Sequence, residues 1–269
     1  PLYQRALIVA AGPLANFILA LFIFTFVYMF SGKDFTPAVI SEVQKDTPAY
    51  SAGMKINDKI ITIDGNKINS ILEVSAIINT STSEFVQFKV LRNDKEINFS
   101  IKPDYLDSDD NLGNKTKRKM IGIKLGSYNN EFNNVKLGPL KAIYYAYKEV
   151  IFVSVSSLKY LSSIILGNGD SSQLGGPIRI AKITGQVAEL GIIPFLSVMS
   201  YISISLGLIN LFPIPLLDGG HLMFYFFEQV RGRPFTQKTQ EGFFRIGMFL
   251  LIFLMFFATF NDLKDLGLF

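Results

Sequence analysis

The chain has 269 residues, of which 49% are hydrophobic, and its mean hydropathy is +0.32. This is too apolar for an ordinary soluble domain and too polar for a bundle lying wholly in a membrane, so we expect membrane helices, one soluble module and no nucleic-acid partner. The net charge is only +4, and the lack of cysteine excludes a disulfide framework and a thiolate metal site.

The first predicted element is a membrane-spanning helix within residues 1–33. Residues 6–30 are almost uninterruptedly apolar and follow Arg5, and about 20 such residues suffice to cross a bilayer. Within them, residues 11–16 read A-G-P-L-A-N. Small side chains allow a second helix to approach closely, and Asn16 can hydrogen-bond across that contact. Taken alone, this motif predicts no more than helix packing.

Residues 37–103 are predicted to form the soluble module. Short runs rich in β-branched residues alternate with turn signals, notably Asp64-Gly65 and Asn93-Asp94, and residues 72–79 have the apolar spacing of a helix. The predicted strands are 38–43, 59–63, 86–91 and 96–101. A module of roughly 65 residues is small but can fold on its own.

The stretch from 52 to 68, A-G-M-K-I-N-D-K-I-I-T-I-D-G-N-K-I, resembles the core of a bacterial PDZ domain, and the order of elements resembles the circularly permuted kind. Asn57 stands where that family usually has glycine, a position that asparagine tolerates because it visits left-handed backbone angles. PDZ domains bind an extended peptide as an added strand. The resemblance therefore implies a groove for peptide ends, whose residues stay unassigned, and a module acting only as a size barrier is the alternative.

Residues 104–140 are predicted to be a polar linker with one further strand, and residues 141–190 to be amphipathic helices at the membrane interface. The segment 141–166 is apolar but carries Lys148, Glu149 and Lys159, and its longest charge-free run is too short to span. We therefore expect this helix to lie on, or dip into, the lipid bilayer.

Residues 191–230 are predicted to form a membrane helix broken by the sequence N-L-F-P-I-P-L-L-D-G-G-H at 210–221. Asp218 is an ionisable group at membrane depth, which is costly and marks a functional site by default. Broken backbone is tolerated there only where it faces protein or a water-filled cavity. A buried polar site at Asp218 and a simple cap for a helix starting at Gly219 remain equally open at this point.

A basic loop at 231–241 and a last span at 242–262 complete the chain, and charge predicts its orientation. Arg5 and the Arg231–Lys238 segment are short, basic and adjacent to spans, so both are expected in the cytoplasm. One span after Arg5 then places the PDZ-like module outside. A spanning helix at 141–166 would put the basic loop on the wrong side, which again favours an interfacial helix.

In this order, A-G-P-L-A-N, one PDZ-like module and N-L-F-P-I-P-L-L-D-G-G-H resemble the site-2 protease family of intramembrane zinc metalloproteases. The resemblance implies a helical multi-pass protein of the bacterial inner membrane with the PDZ domain on the periplasmic side. It implies regulated intramembrane proteolysis of a single-span membrane protein, with an anti-sigma factor as the expected substrate.

The resemblance also implies a site. In this family, a membrane helix with H-E-x-x-H supplies two zinc ligands and a glutamate general base, the aspartate of L-D-G supplies the third ligand, and Zn²⁺ holds an activated water. Asp218 matches that aspartate, and Asn210 matches the asparagine that positions substrate or site groups. Small or helix-breaking residues that shape the site are expected at Gly12, Pro13, Asn16, Pro213, Pro215, Gly219 and Gly220.

One departure matters: the sequence contains no H-E-x-x-H, and the family does not use the position of its sole histidine, His221, as a ligand. We expect that motif, with the general base, on one more span upstream of residue 1, in addition to about three spans present here. The alternative is a catalytically inactive membrane scaffold whose PDZ domain binds single-span proteins.

Overall fold

The computed structural model describes residues 1–81, 83–109, 115–126, 133–167 and 174–265. The helices are α1 (Leu2–Phe30), α2 (Pro48–Ser51), α3 (Ile71–Thr80), α4 (Pro139–Ile165), α5 (Pro177–Glu189), α6 (Ile192–Leu211), α7 (Asp218–Arg231) and α8 (Gln237–Asp265). The chain divides into two compact units, one of Pro1–Val27, Pro139–Ser154 and Ser172–Phe269 and one of Tyr28–Gly138 and Val155–Ser171.

The first unit contains the three described helices that are long and apolar enough to cross a membrane, in α1, α6 and α8. α1 is apolar on every side, as lipid-facing helices are, and it accommodates Pro13 in its interior. α6 ends at Leu211, because Pro213 disfavours helical angles in the residue before it and lacks an N–H of its own. The helix–break–helix arrangement expected for residues 191–230 is present as α6, a turn and α7.

α7 and α8 form a helical hairpin around an aromatic cluster. α7 ends at Arg231, and the next residue, Gly232, has a φ of +69°, the left-handed conformation common after a helix. Phe224 on α7 makes edge-to-face contacts with Phe235, Phe243 and Phe244 at centroid distances of 5.6 to 5.8 Å. α8 begins at Gln237, so the basic loop is shorter than the predicted segment 231–241.

The start of α5 is held by the end of α8. Asp262 is almost fully buried, and its carboxylate accepts hydrogen bonds from the backbone N–H groups of Gly176 (2.7 Å), Ile178 (3.0 Å) and Arg179 (3.1 Å). A helix leaves its first N–H groups without partners in the helix, and a carboxylate suits them in both geometry and charge. Asp262 therefore caps α5 from a different helix.

The second unit contains a six-stranded antiparallel sheet with the order β6-β5-β3-β2-β9 and with β4 paired to β3. Its strands are β2 (Val39–Val43), β3 (Lys59–Ile63), β4 (Asn66–Lys67), β5 (Val86–Arg92), β6 (Lys95–Ile101) and β9 (Ile123–Gly126). The remaining strands are β1 (Lys33–Asp34), β7 (Asp104–Asp109), β8 (Lys115–Met120) and β10 (Asn134–Val135).

The sheet extends past the module boundary expected at residue 103. β9 lies along β2, with Val39 opposite Gly126 and Val43 opposite Ile123, and β7 pairs with β8 inside the segment expected to be a linker. Without β9, this side of β2 would be an unpaired edge, and β9 satisfies its backbone hydrogen-bonding groups. The predicted short strand near residues 120–125 is thus an integral part of the sheet.

Turns and core of this unit follow the sequence pattern. Both residues of Asp64-Gly65 and both of Asn93-Asp94 have positive φ, as two-residue hairpin turns require, and Asn57 has φ +71°. Alternate residues of β5, Val86, Phe88 and Val90, are buried. The described part of the chain is thus mostly helical, with three candidate membrane helices and an inserted small β-rich module whose sequence resembles a PDZ domain.

Candidate active site

The break between α6 and α7 is a compact turn with one strained residue. Ile214 N–H donates to the carbonyl of Phe212 (2.7 Å) and Leu217 N–H to that of Ile214 (3.0 Å). Pro213 and Pro215 cannot donate at all. Leu216 has φ +90°, an outlier for a side chain of this size. Such strain persists only where the surroundings fix the backbone, and it clusters at functional sites.

Three glycines enclose this turn. A Cβ at Gly219 would overlap the carbonyls of Leu211 and Phe212, one at Gly220 would overlap the Ile214 carbonyl, and one at Gly247 of α8 would overlap the Pro215 carbonyl. The backbones of α7 and α8 therefore lie directly against the turn. No other residue fits at these positions without displacing it.

Asp218 is the first residue of α7, and its carboxylate lies against α1. A Cβ on Gly12 would stand 3.0 Å from Asp218 Oδ2. The residue that precedes the helix is Leu217, which makes no side-chain capping bond. The reading of Asp218 as the cap of a helix starting at Gly219 is therefore wrong, because Asp218 is already helical and its side chain points to α1.

The A-G-P-L-A-N motif of α1 packs on α6 one turn further along. Ser203 Oγ donates to the backbone carbonyl of Asn16 at 2.9 Å and lies 3.5 Å from its Oδ1. Gly207 is in similarly close contact, since a Cβ there would stand 3.0 Å from the Phe17 ring and 3.2 Å from the Pro13 carbonyl. Ser203 and Gly207 were not singled out from sequence, although a small residue recurring after four positions indicates such an interface.

Asn210 lies in the last turn of α6 and is half-buried. Within the described residues, no hydrogen bond of its side chain is found, so the amide is available to another molecule.

His221 contacts α8 through its ring, which lies 5.6 Å from the Phe244 ring between centroids. Arg5 pairs with Glu228 at 3.0 Å and lies over the Tyr225 ring, which ties the start of α1 to α7.

The described residues supply only part of a catalytic metal site. Zinc enzymes hold the metal with three protein side chains, and no group of three or more His, Asp, Glu or Cys side chains that could hold a metal occurs among the residues the structure describes. Asp218 alone offers a carboxylate at the break. These residues by themselves do not fit a complete zinc site.

Comparison with known proteins places the chain in a family. The sequence pattern of peptidase family M50 matches residues 1–254, and the chain belongs to this family. A relative in Agrobacterium fabrum, named as a zinc metalloprotease, is 37% identical over 265 residues, covering 98% of this chain and 70% of the relative. The relative in Rhizobium meliloti that carries the same designation is 37% identical over 263 residues, with 98% and 70% coverage.

Two further similarities were found. The regulator of sigma-W protease RasP of Bacillus subtilis is 32% identical over 268 residues, covering 100% of this chain and 61% of RasP. The PDZ domain of an SdrC-like protein from Listeria monocytogenes is 26% identical and covers 34% of this chain and 87% of that chain, with a TM-score of 0.26. The family match and the named relatives confirm the predicted class, a membrane metalloprotease of the site-2 type.

Proposed function

We propose that the complete protein is a zinc metalloendopeptidase that cleaves single-span membrane proteins within the bilayer, with Asp218 as one zinc ligand. The observation that carries this proposal is the position of Asp218. Its carboxylate begins α7 at the break of a membrane helix and faces Gly12 on α1. A carboxylate oxygen is a normal zinc ligand, and a charged group at this depth is costly without such a use.

The other two ligands and the general base are proposed to lie outside the described residues. This agrees with the length of the relatives, since the chain spans about 70% of the first two. Gly12 would then serve by its lack of a side chain, which leaves room beside Asp218 for a metal and a further helix.

The unwound turn is proposed to receive the substrate. A membrane helix hides its peptide bonds in its own hydrogen bonds, so it must be locally extended before hydrolysis, and lipid offers the freed groups no partner. Within the described residues, the N–H of Leu216 and the side chain of Asn210 are without hydrogen bonds. Both precede Asp218 within the break sequence and are suited to hold an extended backbone.

The PDZ-type module is proposed to control which substrates reach the site by binding peptide ends. Among the residues that the structure describes, β9 pairs with β2 alone, so its other edge offers the position for an added strand. Ile121, Gly122 and Ile123 precede or begin this strand, and Gly122 has φ +81°. In this arrangement a peptide would extend the sheet next to β9.

We further propose an anti-sigma factor as the substrate and the inner membrane of a bacterium as the location. The name of RasP, a regulator of sigma-W protease, supports the first point. Arg5, before the first span, and the basic residues between α7 and α8 support a cytoplasmic position for the start of α1 and for the α7–α8 loop. The PDZ-type module would then lie on the outer side of the membrane.

The test is zinc content and cleavage by the complete gene product, purified in detergent, with a single-span substrate. Asp218→Asn should lower bound zinc from about one per chain to near zero and reduce cleavage by at least about a thousandfold. Glu241→Gln is the matched control, because Glu241 is an exposed carboxylate in α8 bonded only to Gln237 in the described residues. It should retain both properties.

Two results would reject the proposal. Undiminished zinc and cleavage in Asp218→Asn would exclude this residue as a ligand. A complete protein that holds no zinc and cuts nothing, yet captures single-span proteins through its PDZ-type module, would establish the scaffold function instead.

A further inference from the structure

α4 has two faces of different character, and only one of them is packed in the protein. Ala142, Ala146 and Val150 recur every four residues and are buried. On the other side, large apolar or aromatic residues are exposed at a spacing of three or four: Leu140, Tyr144, Tyr147, Ile151, Val155 and Leu158. At about 100° per residue, these six project within an arc of about 80°, roughly opposite the buried face.

This exposed stripe is long. From Leu140, which is 84% exposed, to Leu158, which is 42% exposed, it runs about 27 Å along the helix at about 1.5 Å per residue. A continuous apolar surface of this length is unusual on a protein face in contact with water, and it marks an interaction site.

Charge indicates the partner. Lys141, Lys148 and Lys159 are all exposed, and at about 100° per residue they lie within about 20° of one another on a single flank of the stripe. Lys148 Nζ sits 4.6 Å from the centre of the Tyr144 ring. Glu149 lies on the opposite side of the helix from the stripe and interacts with Tyr201 of α6.

Apolar residues, tyrosines and one row of lysines form the pattern of a helix lying in a membrane interface. The apolar stripe enters the boundary of the acyl chains, tyrosine rings sit at headgroup level, and lysines extend to the phosphates. An antiparallel pair of copies joined through this stripe would instead set two lysine flanks side by side. The row of cations therefore fits an anionic surface better than a second copy.

We propose that the stripe of α4 is a lipid-binding surface that lies flat in a leaflet and engages anionic phospholipid headgroups through Lys141, Lys148 and Lys159. This proposal is independent of protease activity. It makes α4 an anchor beside the spans, with Ala142, Ala146 and Val150 turned toward the protein and the stripe toward lipid.

The 269-residue chain has no tryptophan, so a single introduced tryptophan reports its own depth. Three variants are reconstituted in phosphatidylcholine vesicles with one third phosphatidylglycerol: Tyr147→Trp on the stripe, Phe256→Trp in α8 and Tyr50→Trp in the β-rich unit. Each is measured with lipids brominated near the headgroup and with lipids brominated near the chain ends.

Tyr147→Trp should be quenched at least about threefold more by the shallow bromines than by the deep ones, and Phe256→Trp should show the reverse order. Tyr50→Trp serves as the reference for a residue reached by aqueous acrylamide. Quenching of Tyr147→Trp by acrylamide alone would overturn the proposal, and so would preferential quenching by the deep bromines.

The headgroup contact has its own test. In Tyr147→Trp, replacing phosphatidylglycerol by phosphatidylcholine should reduce the shallow quenching, and adding the triple change K141Q/K148Q/K159Q should remove this dependence on anionic lipid. The triple change at Lys45, Lys55 and Lys67 of the β-rich unit, again to Gln, is the matched control. Equal lipid dependence in both triple variants would reject the assignment of the α4 lysines.

Discussion

Gly12 and Asp218 lie so close together that a side chain at residue 12 would press on the carboxylate. The Cβ that an alanine would add stands 3.0 Å from Asp218 Oδ2 and 3.9 Å from its Cγ. Gly219 and Gly220 hold the start of α7 against the turn, so the carboxylate, and not the helix, is the group that would have to shift.

Gly12→Ala should therefore impair the site more than the fold. We expect cleavage by the complete protein to fall by about tenfold, with zinc bound more weakly, because the carboxylate must shift by a few tenths of an ångström and a displacement of about 1 Å at an active site costs about 100-fold. Cleavage rate and zinc affinity measure the effect. Gly185→Ala in α5 is the control, because a Cβ there meets nothing within 4 Å; equal losses in both variants would contradict a specific role for Gly12.

The sequence predicted the helix break within residues 210–221 and missed the contacts between α1 and α6. Two prolines, two glycines and an aspartate inside an apolar segment predict a break that carries an ionisable group, and the structure has this break between α6 and α7. Serine in an apolar helix carries no such information: Ser200 bonds to Leu196 of its own helix at 3.1 Å, whereas Ser203 bonds to α1. Only the three-dimensional register of α1 against α6 distinguishes them.

Pairing between residues far apart in the chain also could not be predicted from the sequence. β2, β3, β5 and β6 each carry a local alternating pattern bounded by turn residues, so the sequence predicted them. β9 joins the same sheet from beyond a long polar segment, and its pairing with β2 depends on register rather than on local pattern. No local pattern marks Asp262 as a helix cap, because the amides that it caps lie 83 to 86 residues earlier in the chain.

Ser203→Ala tests the contact between α1 and α6. It leaves the Asn16 carbonyl without its inter-helix donor, so we expect a loss of about 1 kcal/mol in stability in detergent and a several-fold slower cleavage. Ser200→Ala is a matched control, three residues away and equally buried but bonded within α6.

The readout for this pair is the thermal midpoint together with the cleavage rate, and rescue by Ser203→Thr, which keeps the hydroxyl, should be partial or complete. Equal effects of Ser200→Ala and Ser203→Ala would show that the hydrogen bond to Asn16 contributes no more to stability or cleavage than a bond within α6.

Asp262→Ala should release the start of α5 from α8. The carboxylate satisfies three backbone N–H groups at a buried position, and loss of an N-terminal cap alone costs about 1 to 2 kcal/mol. We expect faster amide exchange at residues 176–179, read by mass spectrometry, while the α1–α6 contact at Asn16 keeps its protection. Asp262→Asn retains one acceptor oxygen, so its exchange rate at residues 176–179 should lie between those of the unsubstituted protein and of Asp262→Ala. Unchanged exchange in Asp262→Ala would show that the cap does not hold α5.

The free energy of unfolding of the β-rich unit should depend on pH through the titration of Lys119. Burial lowers the pKa of this lysine from its ordinary 10.5, against a smaller raising effect of Asp64, while its ammonium group donates to the Ser81 carbonyl at 3.0 Å. Between the lowered pKa and 10.5, the unfolded chain binds more protons than the folded one, so stability should rise with pH across that window.

Lys119→Met should flatten this rise, whereas Lys67→Met, at an exposed lysine of β4, should leave it unchanged. Calorimetric unfolding of the chain between about pH 8 and pH 10.5 measures the slope, and a rise of the same steepness in Lys119→Met would assign it to another group.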